Sequence, residues 1–464
     1  ALVYAQTDDS MKGDSLPSGP VNLLFEETTW GASLSGPILQ DKLFFFLSYE
    51  EFEAIFNLDQ GPVDSGKTTL IPRITTGAVD TFQAATIATY NYDPGSWVDA
   101  APPVSDKKYL AKLDWNINDD HRAALTYQRT EGNAFNGSTS SSFAQANSTS
   151  QPRIGLSSRQ YDKVEVLDAY TLQVNSQWTP EFSTQFRAGW KETETVQMPL
   201  SGLSVGATQV TINDLPGVQA GAGSAQFQFG ADTFRHDNYL DVKTNNYELI
   251  GRYSWGAHDF TFGGRTEEQE IVNVFVPNSL GSYTFSSYAN YLARTAASFS
   301  LTGAVDPTGG TVAANTGTAR DGAAMFSYSL NSIYAEDSFR LSDTITVLFG
   351  ARYDWYAMDD EPVLNANFVT RHGFSNQQDL DGKSVFLPRL YATWKPTPDL
   401  DFAFGFGRFS SQGLNVWLSN PFANTGVTQT NAVCPAGPYF NVNLTAAPAG
   451  CTFTPGNGNV NVLD

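Results

Sequence analysis

What most limits the fold of this chain is a strict alternation of apolar and polar side chains, kept up over long segments that come in pairs. Residues 28–39 pass through Gln40-Asp41-Lys42 into 43–56, and 107–117 pass through Asn118-Asp119-Asp120-His121 into 122–131. Four further pairs follow: 162–178 with 182–197 around Thr179-Pro180-Glu181, 238–254 with 259–274 around Gly256-Ala257-His258, 327–340 with 344–358 around Ser342-Asp343, and 386–395 with 400–411 around Pro396-Thr397-Pro398-Asp399. Tyr109, Ala111, Leu113, Trp115 and Ile117 share one face, opposite Lys108, Lys112, Asp114 and Asn116. Ile345, Val347, Phe349, Ala351, Tyr353 and Trp355 oppose Thr344, Thr346, Gly350, Arg352 and Asp354, while Phe402, Phe404 and Phe406 oppose Asp401, Ala403, Gly405 and Gly407. A period of two is the strand period. Strands of soluble proteins usually run about 5–6 residues, whereas about 9–11 tilted residues cross a bilayer.

The connections narrow the choice. Within pairs they are short; between pairs they are long and polar, near 57–106, 132–161, 198–237, 275–326, 359–385 and 412–464. The run Ser138-Thr139-Ser140-Ser141-Ser142 is typical of them. A soluble sandwich or propeller rarely carries loops beyond about 12–15 residues, and short turns alternating with long loops is the outer-membrane pattern. Composition agrees. Charged residues are 16% and aromatics 13%, yet mean hydropathy is −0.27. The longest apolar run, Leu43-Phe44-Phe45-Phe46-Leu47, is far too short for a spanning helix of about 20 residues. Trp115, Trp178, Trp255, Tyr353, Trp355 and Trp394 sit near segment ends, where an interfacial girdle belongs. The expectation is an all-β transmembrane antiparallel β-barrel, with twelve clear strands and residues 1–6 as the tail of a thirteenth.

The remaining chemistry-bearing residues point away from catalysis. Lys plus Arg number 27 against 48 Asp plus Glu, a net charge of −21, which disfavours nucleic acid. Cys434 and Cys451, in a Pro/Gly/Asn-rich segment, read in an exported protein as a local disulfide, and two thiolates alone make a poor metal site. Gly61-Pro62-Val63-Asp64-Ser65-Gly66-Lys67-Thr68 has phosphate-loop spacing, but an acidic amphipathic segment precedes it and Pro72 interrupts any helix after it, so it reads as a surface loop. His121, His236, His258 and His372 have no metal-ligand spacing. Glu50-Glu51, Glu267-Glu268 and Asp359-Asp360-Glu361 lack the ordered spacing of a calcium loop and read as solvated charge. Asn136-Gly137-Ser138, Asn147-Ser148-Thr149 and Asn443-Leu444-Thr445 fit a glycosylation pattern that a bacterial outer membrane makes irrelevant. Trp417, Asn415, Tyr439 and Asn441 are loop residues suited to ligand contact or to loop self-packing. No catalytic, cofactor or metal residue is expected, and no substrate-binding residue is assigned. Ala1-Leu2-Val3-Tyr4-Ala5-Gln6 has neither the basic start nor the apolar core of a signal peptide.

Several segments resemble TonB-dependent outer-membrane receptors, specifically the Oar-like group with a carboxypeptidase-regulatory-like domain at its N-terminus. Thr29-Trp30-Gly31-Ala32-Ser33-Leu34-Ser35-Gly36-Pro37-Ile38, followed by Asp41-Lys42-Leu43-Phe44-Phe45-Phe46 and Ser48-Tyr49-Glu50, is similar to the family's strand pair just after the plug domain. Tyr334-Ala335-Glu336-Asp337-Ser338-Phe339, Phe349-Gly350-Ala351-Arg352-Tyr353-Asp354, Pro388-Arg389-Leu390 and Gly405-Phe406-Gly407-Arg408-Phe409 resemble later family strands. The resemblance implies a plug inside a barrel of about 22 strands, contact with the TonB complex through an N-terminal region, a surrounding of outer-membrane lipid and lipopolysaccharide, and active uptake of an extracellular substrate. Siderophores, peptides and oligosaccharides are all handled by such barrels. On this reading residues 1–464 are part of the barrel domain, with plug, N-terminal domain and closing strands outside the sequence. An open wall leaves unpaired backbone at membrane depth, at a cost of several kcal/mol per group. The rival readings are a barrel of the same lineage serving as scaffold or secretion partner, and a soluble glycan-binding β-protein that needs no detergent for extraction.

Overall fold

A computed structural model describes residues 1–11, 13, 15, 16, 19, 20, 25–56, 60–98, 103–136, 148–304, 319–411, 413, 415–453, 460 and 462. Ser138–Ser142 and Asn147 lie outside them. The wall strands are β1 (Leu2–Thr7), β2 (Phe25–Leu39), β3 (Leu43–Phe56), β4 (Val104–Asn116), β5 (His121–Asn136), β6 (Tyr161–Gln177), β7 (Phe182–Pro199), β8 (Asn238–Trp255), β9 (His258–Phe275), β10 (Ala324–Ser342), β11 (Ile345–Ala357), β12 (Ser384–Thr397) and β13 (Leu400–Gly407). They pair in chain order as one 13-stranded antiparallel sheet. All six expected hairpins are present. No helix among the described residues is long and apolar enough to cross a membrane.

Register sorts the side chains into two faces. Leu34, Leu47, Ala111, Tyr127, Tyr170 and Trp190 follow one another across β2 to β7. On the same face, further round, lie Ile333, Tyr353 and Phe386, then Phe349, Leu390 and Phe406. Phe404 is 61% and Phe406 78% exposed, as expected of side chains whose solvent is lipid. The other face carries Glu50 with Lys108, Lys112 with Asp114, and Arg187 with Glu248. Apolar outside and ionic inside is a barrel wall.

Two aromatic belts bound the apolar band. At the short-turn end, Trp115, Trp178, Trp255 and Trp394 stand beside the hairpins, as the sequence predicts; Trp394 stacks on Phe402 at 5.3 Å. The belt at the opposite end holds Tyr353 and Trp355 and also a row that sequence order conceals. Trp30–Tyr49, Tyr49–Tyr109, Tyr127–Tyr170 and Tyr170–Trp190 have ring centroids 4.9, 4.8, 4.8 and 5.6 Å apart. Just above it the outer surface becomes charged. Trp30 Nε1 and Tyr49 Oη donate to Glu51, Tyr127 Oη donates to Asp168, and Arg129 pairs with Asp168 at 2.5 Å. Rings straddling an apolar slab and a wet headgroup layer take this arrangement.

β13 departs from expectation. The alternation suggests a strand to 411, yet pairing ends at Gly407. The next position on the lipid face after Phe406 belongs to Arg408, and a guanidinium in lipid costs several kcal/mol. The chain turns instead, and Arg408 lines a concavity on the lumen side.

The long connections are folded as well as polar. Among the described residues they carry four α-helices: α1 (Thr76–Tyr90), α2 (Tyr288–Leu292), α3 (Ala366–His372) and α4 (Asn415–Ala423). Short strands at 153–155, 226–229, 207–211, 282–285 and 298–300 form a separate five-stranded sheet. α1 starts where Thr75 Oγ1 accepts from the Ala78 amide and ends at Asn91 in the left-handed region, and its Ala78, Val79 and Phe82 face inward. Phe82 packs on Phe227 at 4.6 Å and on Tyr291 at 5.2 Å. Ile71, Ile154, Val210, Phe227, Phe285 and Val442, supplied by five different connections, belong to one buried cluster. The loops thus share a dry core of their own, which the sequence marks only as connecting segments.

Candidate functional site

The lumen face of β9 to β12 holds a network in which arginines and carboxylates alternate. Arg265 pairs with Glu267, Arg352 Nε with Asp354 at 2.6 Å, and Arg389 with Glu336 at 2.6 Å. Arg352 also donates to Ser332 Oγ at 2.6 Å, and its guanidinium lies 5.9 Å from the Tyr334 ring. Tyr334 Oη in turn donates to Glu248, which pairs with Arg187 at 3.4 Å. Two glycines make the reach possible. Glu336 and Arg389 lie on strands either side of β11 and meet over Gly350, where a Cβ would sit 2.6 Å from that of Glu336. Tyr334 leans over Gly263, where a Cβ would lie 2.6 Å from its hydroxyl.

Burial decides which charge faces the lumen. The side chains of Arg265, Arg352 and Arg389 are 39%, 35% and 45% exposed, against 13%, 10% and 23% for Glu267, Asp354 and Glu336. These three arginines, with Arg408, Asp354, Leu330 and Phe409, line a concavity of about 330 Å³. A larger hollow of about 700 Å³ lies on the opposite, lipid-facing side, over Ala32 and Ala111 between Leu34, Leu47 and Tyr109. Its lining is apolar, so it is relief for lipid chains and carries no solute chemistry.

Directly above the arginine concavity α4 folds against the lumen face. Phe422 stacks on Phe326 at 4.6 Å, Tyr328 Oη donates to Asn415 Oδ1 at 2.9 Å, and Asn415 Nδ2 donates to Gln269 at 2.9 Å. Gln269 and Tyr328 lie two positions further out along their strands than Glu267 and Leu330, or about 7 Å. α4 thus packs on the lumen face one step further out than the concavity.

The loop module holds its own polar centre. Arg159 and Asp232 are fully buried and pair at 2.8 Å, and Asp232 also accepts from the Phe234 amide at 3.0 Å. Burial pushes the Arg159 guanidinium down to about 10, even with Asp232 beside it. His236, 1% exposed, sits 3.0 Å from the Ala231 carbonyl through Nε2 and accepts the Leu280 amide at Nδ1. Those partners fix the neutral Nε2–H tautomer, and burial pushes its pKa down to about 4.

Residues singled out from the sequence fall in different places. Cys434 and Cys451 have their Sγ atoms 2.08 Å apart. Asn415 anchors α4, Trp417 on the same helix is 64% exposed, and Tyr439 packs on the module core with its backbone bonded to Ala296. Gly61–Thr68 runs into a short strand, Thr69–Ile71, and not directly into a helix; Asp64 accepts from the amide and hydroxyl of Thr76 at the start of α1. Neighbours Glu50 and Glu51 point to opposite faces and pair with Lys108 and Lys107, and Glu267 and Glu268 are likewise divided. Asp360 accepts from the Ser327 amide and hydroxyl. His258 pairs with Asp337 at 2.7 Å beside a hairpin. Among the described residues no three His, Cys, Asp or Glu side chains gather to hold a metal. The lumen arginines form no motif in the sequence; their signal is arginine recurring on the polar face of neighbouring strands, visible only once register is known.

Comparison with known proteins agrees with the wall. The chain is similar in structure to the outer membrane transporter YddB from Escherichia coli, with a TM-score of 0.54 and 10% identity over 93% of this chain and 48% of that one. It also aligns with the ferric enterobactin receptor PfeA from Pseudomonas aeruginosa (TM-score 0.47, 13% identity, 93% and 47% coverage) and the FrpB iron transporter from Neisseria meningitidis (0.43, 13%, 82% and 44%). The chain spans about half the length of these solved structures. No curated protein matches it. A family model for the outer membrane beta barrel domain matches residues 55–464. Two-faced strands, aromatic belts and this match lead to one conclusion: the chain belongs to the outer membrane beta-barrel domain family and lies in the bacterial outer membrane.

Proposed function

We propose that the chain forms wall and extracellular loops of a TonB-energised receptor that takes up a scarce extracellular solute. The observation that carries this reading is the ionic lumen face. Charged groups at membrane depth are stable only where water or a polar plug meets them. A wall with buried carboxylates and open arginines suits an interior that solutes pass through or a plug fills. The likeness in fold to a solved outer-membrane transporter supports the same reading, as do the motifs resembling Oar-like receptors. No bond-making chemistry is assigned to it. Cys434 and Cys451 serve as a loop disulfide, which thiol titration of the unreduced, denatured protein tests by finding no free thiol.

The test is uptake. Labelled metal chelates, peptides and oligosaccharides are offered to cells with the full-length gene, without it, and without TonB. Loss of the same solute in both deletions is expected. Uptake that neither deletion changes overturns the reading. One observation favours a second role, as scaffold or secretion partner: the loops form a folded module with its own core, a surface fit to hold a protein. Unchanged uptake together with recovery of a stoichiometric envelope protein on the purified barrel would establish that role instead.

A further inference from the structure

The arginine concavity on the lumen wall has features that solvated charge does not need. The chain carries a net charge of −21, yet Arg265, Arg352, Arg389 and Arg408 converge on one hollow of about 330 Å³. Three of them are held at one edge by carboxylates that are less exposed than the arginines themselves, and all three side chains line the hollow. Arg408 leaves the strand alternation to reach the same place, and no carboxylate lies within ion-pair distance of it among the described residues. Phe409, Leu330 and Leu387 give the hollow apolar sides, and Asp354, already paired with Arg352, borders it. A guanidinium fixed along one edge keeps a planar fork of donors for an oxyanion, and a low-dielectric wall strengthens its field.

We propose that this hollow is a binding site for a small solute bearing carboxylate or phosphate groups. The inference rests on the solute-uptake reading and deepens it by naming a substrate class. The anion sits against Arg352 and Arg408, with Arg265 and Arg389 completing a positive rim and Phe409 covering the less polar part of the solute.

Binding of citrate and of pyrophosphate to the purified full-length protein in detergent, by titration calorimetry at low salt, tests this. Saturable binding of either is expected, weakening steeply with added salt. Arg408→Gln, outside the strands, is expected to weaken it about tenfold, Arg352→Gln at least as much, and Arg408→Lys less. Arg122→Gln, elsewhere on the barrel, leaves affinity unchanged. Absence of saturable binding, equal affinity in Arg408→Gln and wild type, or an equal loss in Arg122→Gln overturns the proposal. The two readings fail separately: a protein that binds citrate through Arg408 but supports no uptake in cells keeps the site and loses the transport role.

Discussion

The barrel wall and the loop module obey opposite rules, although one chain builds both. In the wall, large apolar side chains point outward, as with Phe406 at 78% exposure, and ion pairs line the inside. In the module, Phe82, Phe227 and Tyr291 are sealed inside, and the ion pair Arg159–Asp232 is buried with them. The difference teaches that the pattern records the solvent on each side. Lipid rewards apolar exposure in one region and water penalises it in the other. It also separates two kinds of ion pair: lumen pairs keep access to a polar interior, while Arg159–Asp232 has none.

The comparison breaks most readily at that buried pair. Asp232→Ala leaves Arg159 uncompensated in a dry core and is expected to destabilise the module by about 3–5 kcal/mol. Hydrogen exchange should show the 153–155 and 226–229 strands opening while β6 to β9 stay protected; equal opening of both would mean that the module and wall are one unit. The next effect comes from pH. His236 is neutral in the folded module, and its pKa is about 4, whereas an unfolded histidine takes a proton near 6.5. Its contribution is therefore complete above about 6.5 and is lost as pH falls towards 4, about 3 kcal/mol over the window. Protease sensitivity of the loops measured from pH 7 to 4 should rise, and His236→Gln should flatten the rise. In the wall, Phe349→Arg places a charge in lipid and should cost about 2–4 kcal/mol. Folding into vesicles reads that loss, with the module's protease resistance unaltered. Smallest is Glu192→Gln, which removes the half-exposed Lys243–Glu192 pair at 3.7 Å and should shift stability by less than about 1 kcal/mol.

Legibility in the sequence follows the same division. Alternation places the hairpin 238–254 with 259–274 almost to the residue, because it is local and the two environments of the wall are uniform along it. The outer aromatic row is hidden in the sequence because Tyr49, Tyr109 and Tyr127 become neighbours only through strand register. The module was illegible for a stronger reason. Phe82, Phe227 and Tyr291 touch across three separate connections, and no period within any one of them announces the contact. Arg352 could be placed on the polar face, but its company of Arg265, Arg389 and Arg408 depends on pairing, on a strand that ends early, and on two glycines between strands.

The shared core also governs how such a surface can change over generations. With Ile71, Ile154, Val210, Phe285 and Val442 drawn from five connections into one cluster, no loop can lengthen, shorten or be exchanged at its buried residues without misfitting the other four. Substitution that leaves the core undisturbed is thereby confined to exposed positions such as Phe440. The scaffold beneath them must be inherited whole.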